Sequence, residues 1–505
     1  MPIIGKLIKK GSAISHKISK LKGEEYTKQL LVLKKLINSA KQTQFGFAHS
    51  YLEILKNPDL VNSFQKKVPL TEYEAFYDKW LRKVIGGEKE VTWPGRVKYF
   101  ALSSGTTGSP SKRIPVTEKM IRSFQRTSIR QLATLHEIDL PDVFFSSQVL
   151  AIGGSTRLIK KKNHIEGDLS GILKKHTSIV ATPFTKPGTR ISSIKDWNKK
   201  IERIVENAPK WNIGIIAGIP SWCIMLMEKI ITHYNLKSIH DIWPNLHVYI
   251  HGGVYMDPYI DKLNALTSHK INLLDTYLAS EGYFAFQKSI HKKSMNLLLD
   301  SGVFYEFIPF NSEYFDSEGC LKNKNKALTL NQVQEGVDYA LVISTNAGLW
   351  RYIIGDLIKF VNVNERELII SGRIKQFLSL CGEHLSLENI NEALLKLSKT
   401  EKTEIIEYTI FADENSLNHH WFISLKTNTS TKKFSSMLDE ELSKLNDDYK
   451  SARKYTLGKP KVEFLPVNVF YDYLNSIGKS GSQNKFPRVL NKKQADQWLK
   501  YISKR

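Results

Sequence analysis

The sequence predicts an α/β fold: a large N-terminal body of alternating strands and helices with a β-rich part, joined by a hinge to a small α+β C-terminal domain. Three observations lead there. Apolar runs such as WNIGIIAGI and LHVYIHGG alternate with helical stretches such as IKDWNKKIERIVEN and SWCIMLMEKIITHY in the middle of the chain. From Ser301 the character turns β-rich, with GVFYEFIPF, YALVIST, LWRYIIGDLIKFV and ELIISG separated by short turns. Beyond Lys375, strand and helix patterns make a unit of about 130 residues, long enough to be a domain. The expected boundaries are 1–374 for the N-terminal body, with its β-rich subdomain at about 301–372, and 375–505 for the C-terminal domain.

Taken in order, MPIIGKLIKKGSAISHKISKLK carries an apolar helical stripe interleaved with lysine, a pattern that also suits a membrane surface. It lacks the long apolar region and small-residue cleavage site of a secretory signal. Residues 24–135 read mostly helical, interrupted by the strand-like KYFAL that leads into SSGTTGSPSK, Ser103–Lys112. VTEKMIRSFQRTSIRQLATL follows as an amphipathic helix. Strand, Gly/Ser loop and helix in that order would offer backbone N–H groups and a helix N-terminus to an anion. The longest uncharged apolar segment, Trp211–Met227, contains Gly214, Gly218 and Pro220 and reads as a buried strand turning into a helix.

Composition narrows the function classes. The 73 Lys+Arg against 50 Asp+Glu leave a net charge of +23, a surplus that draws anions. It is spread over both parts of the chain, without a polybasic tail, so a nucleic-acid partner is not expected. Integral membrane association is not expected either. Three dispersed cysteines make no disulfide framework or CxxC pair, which fits a reducing, cytoplasmic setting. His419-His420 lacks a second ligand pair, and no transition metal is expected.

SSGTTGSPSK has two glycines, six hydroxyls and a closing lysine, a composition suited to phosphate, but it lacks Walker spacing. Four later stretches belong with it: HGGVYMDPY (His251–Tyr259), DTYLASEGYF (Asp275–Phe284), GLWRYIIGD (Gly348–Asp356) and ISGRIKQFLSLCGE (Ile370–Glu383). In this order and spacing they resemble the adenylate-forming superfamily of acyl-CoA synthetases, peptide-synthetase adenylation domains and luciferases. Within it, the chain resembles the Gretchen-Hagen-three (auxin-responsive promoter) family of acyl acid amido synthetases. That likeness includes KLINSAKQTQFG, VPLTEYEAF, WPGRVKYFALSSGTTGSPSKRIPVTE and GSQNKFPR.

The resemblance implies an ATP-dependent ligase that adenylates a carboxylic acid, releases pyrophosphate and passes the acyl group to an amino-acid amine. ATP and Mg²⁺ would be its cofactors. Ser103, Ser104, Gly105, Thr106, Thr107 and Lys112 would hold the β- and γ-phosphates, and Glu281, in the same segment as Ser280, would take Mg²⁺. Asp356 would accept from the ribose hydroxyls, with Arg373 beside the ribose or α-phosphate. Gly252 and Gly253 would wall the adenine slot, with Tyr277 near the base. Lys485 would meet the α-phosphate, and the C-terminal domain would swing about 373–376. Thr107, the early Gly108, Pro110 and Gln376 depart from the family pattern. A thiol acceptor such as CoA, and a non-catalytic nucleotide-binding protein, are the competing readings. The acyl pocket is expected between the helix after the loop and the strand before Gly252, and Trp350 and Arg351 are as well suited to a structural role.

Overall fold

The computed structural model describes residues 25–504 except 104–111, 179–180, 254–255, 317–318, 323–325, 375–377, 379, 381–384, 386, 414–415, 428, 447–448, 451, 454–456 and 478–485. The chain begins with short helices, Glu25–Ala40 foremost, and enters a hairpin of β1 (Tyr99–Ser103) and β2 (Lys112–Val116). Thr117 then caps the helix Glu118–Thr134, its hydroxyl accepting from the Met120 N–H.

Five short strands follow, β3 (Gln148–Ala151), β4 (Ile159–Lys160), β5 (Ile165–Gly167), β6 (Thr185–Lys186) and β7 (Ile213–Ala217). The helix Pro220–Tyr234 starts on proline, whose missing N–H costs nothing in a first turn, and stops at Asn235 with φ +50°. Next come β8 (Val248–Gly252), β9 (Asn272–Ala279), β10 (Gly282–Phe286) and β11 (Met295–Leu297). The β-rich stretch supplies β12 (Val303–Pro309), β13 (Asp338–Thr345), β14 (Tyr352–Asn362) and β15 (Glu367–Arg373).

Eleven of these strands form one sheet, in the order β12-β13-β14-β15-β11-β10-β9-β8-β7-β3-β6. The strands from β9 through β8, β7 and β3 to β6 pair in parallel, and those from β9 to β12 pair antiparallel. The β-rich stretch is therefore continuous with the α/β layers through β10 and β11. Apolar side chains of the N-terminal helices and the antiparallel half make one large core, and the helices Trp197–Asn207 and Pro220–Tyr234 cover the parallel half with another.

In the C-terminal unit β16 (Ile405–Asp413), β17 (Asn418–Leu425) and β18 (Lys461–Phe464) form a three-stranded sheet. Two apolar clusters pack with it. One includes the helices Leu387–Thr400 and Thr431–Leu445, the other Val467–Ser476 and Lys492–Ile502. The last two helices are absent from the sequence-based expectation. Trp211–Met227 does run from β7 into a helix, and no helix among the described residues is long and apolar enough to cross a membrane.

One local expectation fails. Lys112, which closes SSGTTGSPSK, already belongs to a strand, so the helix Glu118–Thr134 does not follow that segment directly. Ser103 and Lys112 stand opposite each other across β1 and β2, and Pro115 is tolerated because β2 is the edge of a four-stranded sheet, β2-β1-β5-β4.

Candidate active site

β9 is where the large sheet changes from parallel to antiparallel, and the carboxyl ends of β8 and β9 open into a cleft. Open α/β sheets bind ligands at such ends. Only two residues, Ser280 and Glu281, join β9 to β10, since Ala279 already faces Gly282. This tight hairpin sets a carboxylate against the interior: Glu281 is 6% exposed. Burial raises its pKa to about 7, with Asp356 adding to the rise and Lys112 and Arg373 opposing it.

Asp356 comes from β14, directly across from Arg373 on β15. Gly355 before it has φ +95°, a conformation that favours glycine, and the pairing slips just after Leu357. The buried Asp356 carboxylate is held twice. Its Oδ2 accepts from the Tyr277 hydroxyl at 2.7 Å, and its Oδ1 pairs with Arg373 Nε at 3.0 Å. The Arg373 side chain is half exposed. Tyr277 is 3% exposed and packs edge-on against Phe284 at 5.0 Å, so its ring offers little area to a base.

Lys112 begins β2, with Nζ 5.3 Å from the centre of the Tyr73 ring. Gly252 ends β8, where a Cβ would lie 2.5 Å from the Thr276 carbonyl oxygen. Gly253 has φ +77°. Ser103, Lys112, Gly252, Gly253, Tyr277, Ser280, Glu281, Asp356 and Arg373 thus all line one open cleft of about 3240 Å³. Ser104, Gly105, Thr106, Thr107, Lys375, Gln376, Lys485 and the N-terminal lysine-rich stripe lie outside the described residues.

The cleft runs on between the helix Glu118–Thr134 and β8, the interval expected for the acyl group. Phe124, Ile129 and Leu132 from the helix and Ile250 from β8 line it there. Residues of the C-terminal unit border it too, among them Tyr408 and Arg488. The Arg488 guanidinium stacks 4.4 Å from the Tyr408 ring, while the Pro487 carbonyl accepts from the Thr409 hydroxyl at 2.7 Å. The FPR end of GSQNKFPR is thereby fastened to β16.

Arg351 takes the structural role. It is fully buried, donates from Nε to Glu306 at 3.0 Å and from Nη1 to the Gln65 and Val68 carbonyls at 2.9 and 2.7 Å. Trp350 donates to the Thr92 carbonyl at 3.0 Å. Sequence reasoning assigned no function to Asp275, His251, Gln131 or Tyr283, which also line the cleft. Asp275 and His251 lie inside quoted motifs, but only their pairing at 3.4 Å across β8 and β9 distinguishes them from ordinary strand residues.

Comparison with known proteins matches residues 15–144 and 140–271 to the GH3 family N-terminal domain. Residues 296–367 match the GH3 family central domain and 388–494 the GH3 family C-terminal domain. Indole-3-acetic acid-amido synthetase GH3.4 of Arabidopsis thaliana is 25% identical over 277 residues, 50% of this chain and 45% of that protein. Jasmonoyl--L-amino acid synthetase GH3.5 of Oryza sativa subsp. japonica is 27% identical over 271 residues, 50% and 46% of the two chains. The chain thus spans about half the length of these curated relatives. With jasmonoyl--L-amino acid synthetase JAR6 of Nicotiana attenuata the match runs over 510 residues at 26% identity, 86% of each. Among solved structures, GH3.15 acyl acid amido synthetase superposes with a TM-score of 0.75 at 17% identity, covering 95% of this chain and 93% of that one. A 2-hydroxyisobutyryl-CoA ligase in the postadenylation state gives 0.60 at 12% identity, covering 94% and 91%. These likenesses show the fold, a large N-terminal and a small C-terminal domain.

Proposed function

This chain belongs to the GH3 family, and on that premise we propose that it is an ATP-dependent ligase joining a carboxylic acid to an amino-acid amine. The observation that carries the reading is the meeting of Lys112, Glu281, Asp356 and Arg373 around one cleft that continues into an apolar cavity. An ionised carboxylate is a poor electrophile. Attack on the α-phosphate of ATP converts it to an acyl adenylate with AMP as leaving group, and an amine then completes the amide.

Glu281 suits Mg²⁺, a hard cation that takes one or two carboxylates and completes its shell with phosphates and water. The donor set fits: the Glu281 carboxylate is buried, its pKa is raised, and it makes no direct ion pair within 4 Å among the described residues, which leaves its oxygens open to a cation. When bound, the metal would neutralise charge developing on the phosphates. Lys112 and the 103–107 segment would hold the β- and γ-phosphates and steady departing pyrophosphate. Asp356 keeps lone pairs beyond those used by Tyr277 and Arg373, enough to accept from ribose hydroxyls. Gly252 and Gly253 would let the adenine lie against backbone. Lys485 would approach the α-phosphate, with the unit after residue 374 turning between the two half-reactions. Phe124, Ile129, Leu132 and Ile250 would receive the acyl chain. The few dispersed cysteines support a cytoplasmic setting.

The test is pyrophosphate release from ATP, Mg²⁺ and a panel of carboxylic acids, with amino acids or CoA added separately. Amine-dependent AMP and amide formation is the expected result. Acceleration by CoA alone would replace the amine by a thiol acceptor, and no acid-dependent pyrophosphate release would remove the ligase reading.

A further inference from the structure

Among the described polar side chains that line the cleft, two carry buried nitrogens without a partner. Gln131 on the helix Glu118–Thr134 is 4% exposed, and its Oε1 accepts from the Tyr283 hydroxyl at 2.7 Å. That bond turns the amide so that Nε2, a double donor, is left buried without a partner. Asp275 of β9 acts electrostatically on Tyr283. On its other side Asp275 Oδ1 lies 3.4 Å from Nδ1 of His251, which is 5% exposed and whose Nδ1 also has no hydrogen-bond partner. Asp275 Oδ1 accepts from the Thr276 N–H at 2.8 Å. Its side chain is one-third exposed, and Oδ2 has no partner among the described residues.

Four side chains from a helix and three strands thus line the same cleft, linked in two pairs, and two of them bury an unsatisfied nitrogen. Leaving such a group unpaired costs about 1–3 kcal/mol, so the arrangement disfavours a wholly apolar occupant. A cleft wall that offers both a carboxylate acceptor and an amide donor matches a hydroxyl, which donates once and accepts. Burial raises the Asp275 pKa to about 7 and lowers that of His251 to about 4, so the imidazole is neutral and the subsite carries at most one negative charge. A second carboxylate is an unsuitable occupant for that reason.

We infer that Gln131, His251 and Asp275 form a recognition subsite for a hydroxyl group on the acyl part of the substrate, remote from its carboxylate. The proposal rests on the ligase reading for the identity of the occupant. It makes the acid a hydroxylated carboxylic acid: the hydroxyl donates to Asp275 and accepts from Gln131, and the rest of the chain lies against Ile129 and Leu132.

The experiment uses matched acids with and without a remote hydroxyl: 4-hydroxyphenylacetate with phenylacetate, and 6-hydroxyhexanoate with hexanoate. Full-length protein is assayed for acid-dependent AMP formation, and acid binding is measured separately by calorimetry. In at least one pair the hydroxy acid is expected to be preferred about 10- to 100-fold, the factor that an unpaired buried polar group implies. The preference should collapse in Gln131→Met, which keeps the volume, and in Asp275→Asn, which keeps the shape. Equal binding and turnover within every pair, or a preference surviving both substitutions, overturns the subsite and leaves the ligase intact. A calorimetric preference without AMP formation upholds the subsite and overturns the ligase. Neither binding nor turnover with any acid overturns both.

Discussion

The Tyr277 hydroxyl donates to Asp356 Oδ2 at 2.7 Å, joining two motifs that lie 79 residues apart. The bond holds one edge of the carboxylate while Arg373 holds the other. Tyr277→Phe removes a hydrogen bond to a charged group, worth about 1.5–3 kcal/mol. If Asp356 receives the ribose, KM for ATP should rise about tenfold or more, with a smaller effect on KM for the acid. An unchanged KM for ATP in steady-state kinetics would remove the positioning role.

With Glu281 as the Mg²⁺ ligand, activity should depend on both pH and metal. Its free-protein pKa near 7 means that kcat/KM should climb as pH rises through about 7. Mg²⁺ competes with that proton, so raising Mg²⁺ should move the acid limb to lower pH. A pH profile indifferent to Mg²⁺ would argue against Glu281 as the ligand.

The same residue sets a cost in stability. The folded pKa is raised from 4.5 to about 7, so between those values the folded protein keeps a proton that the unfolded chain has released. Its contribution is fully present below about 4.5 and is lost as pH rises through about 7. Glu281→Gln should therefore stabilise the ligand-free protein at pH 8, by on the order of 1–3 kcal/mol, while abolishing turnover. Urea denaturation at pH 5 and pH 8 checks the sign, since the gain should be smaller at pH 5.

Lys112→Ala removes the cation expected at the β- and γ-phosphates. Acid-dependent pyrophosphate release should fall about 100-fold, in line with loss of a group that stabilises transition-state charge. Undiminished turnover would return Lys112 to the status of a residue packed beside Tyr73.

Arg351 tests the scaffold rather than the chemistry. Removing one member of a buried ion pair costs about 3–5 kcal/mol, so Arg351→Met should lower the urea midpoint sharply. Adding Glu306→Leu, which removes the stranded carboxylate, should restore much of the loss.

The family motifs, and most strands and helices of the N-terminal body, were legible because each is encoded locally. Alternation marks β-strands, helical spacing marks Glu118–Thr134, and a Gly-Gly pair marks the end of β8. The reading failed where a neighbour in space decides. KRIPV was assigned no strand, the loop being carried straight into the helix, yet it forms β2, an edge strand that tolerates Pro115. For Tyr277 the sequence left a place near the base and a packed aromatic with a bonded hydroxyl both open, because nothing in TYLASE shows that the ring packs on Phe284 and the hydroxyl meets Asp356.

By itself the sequence determined the α/β class, the family, and which lysine, glutamate, aspartate and arginine stand at motif positions. Only the tertiary structure decided that one sheet runs through both halves of the N-terminal body, with its turn at Ser280–Glu281. It also decided that Asp356 faces Arg373, that Glu281 is buried, and that Asp275 lies beside His251. The reason is physical. Side-chain type is a property of one position, whereas burial, register and charge coupling belong to pairs of strands distant in the chain.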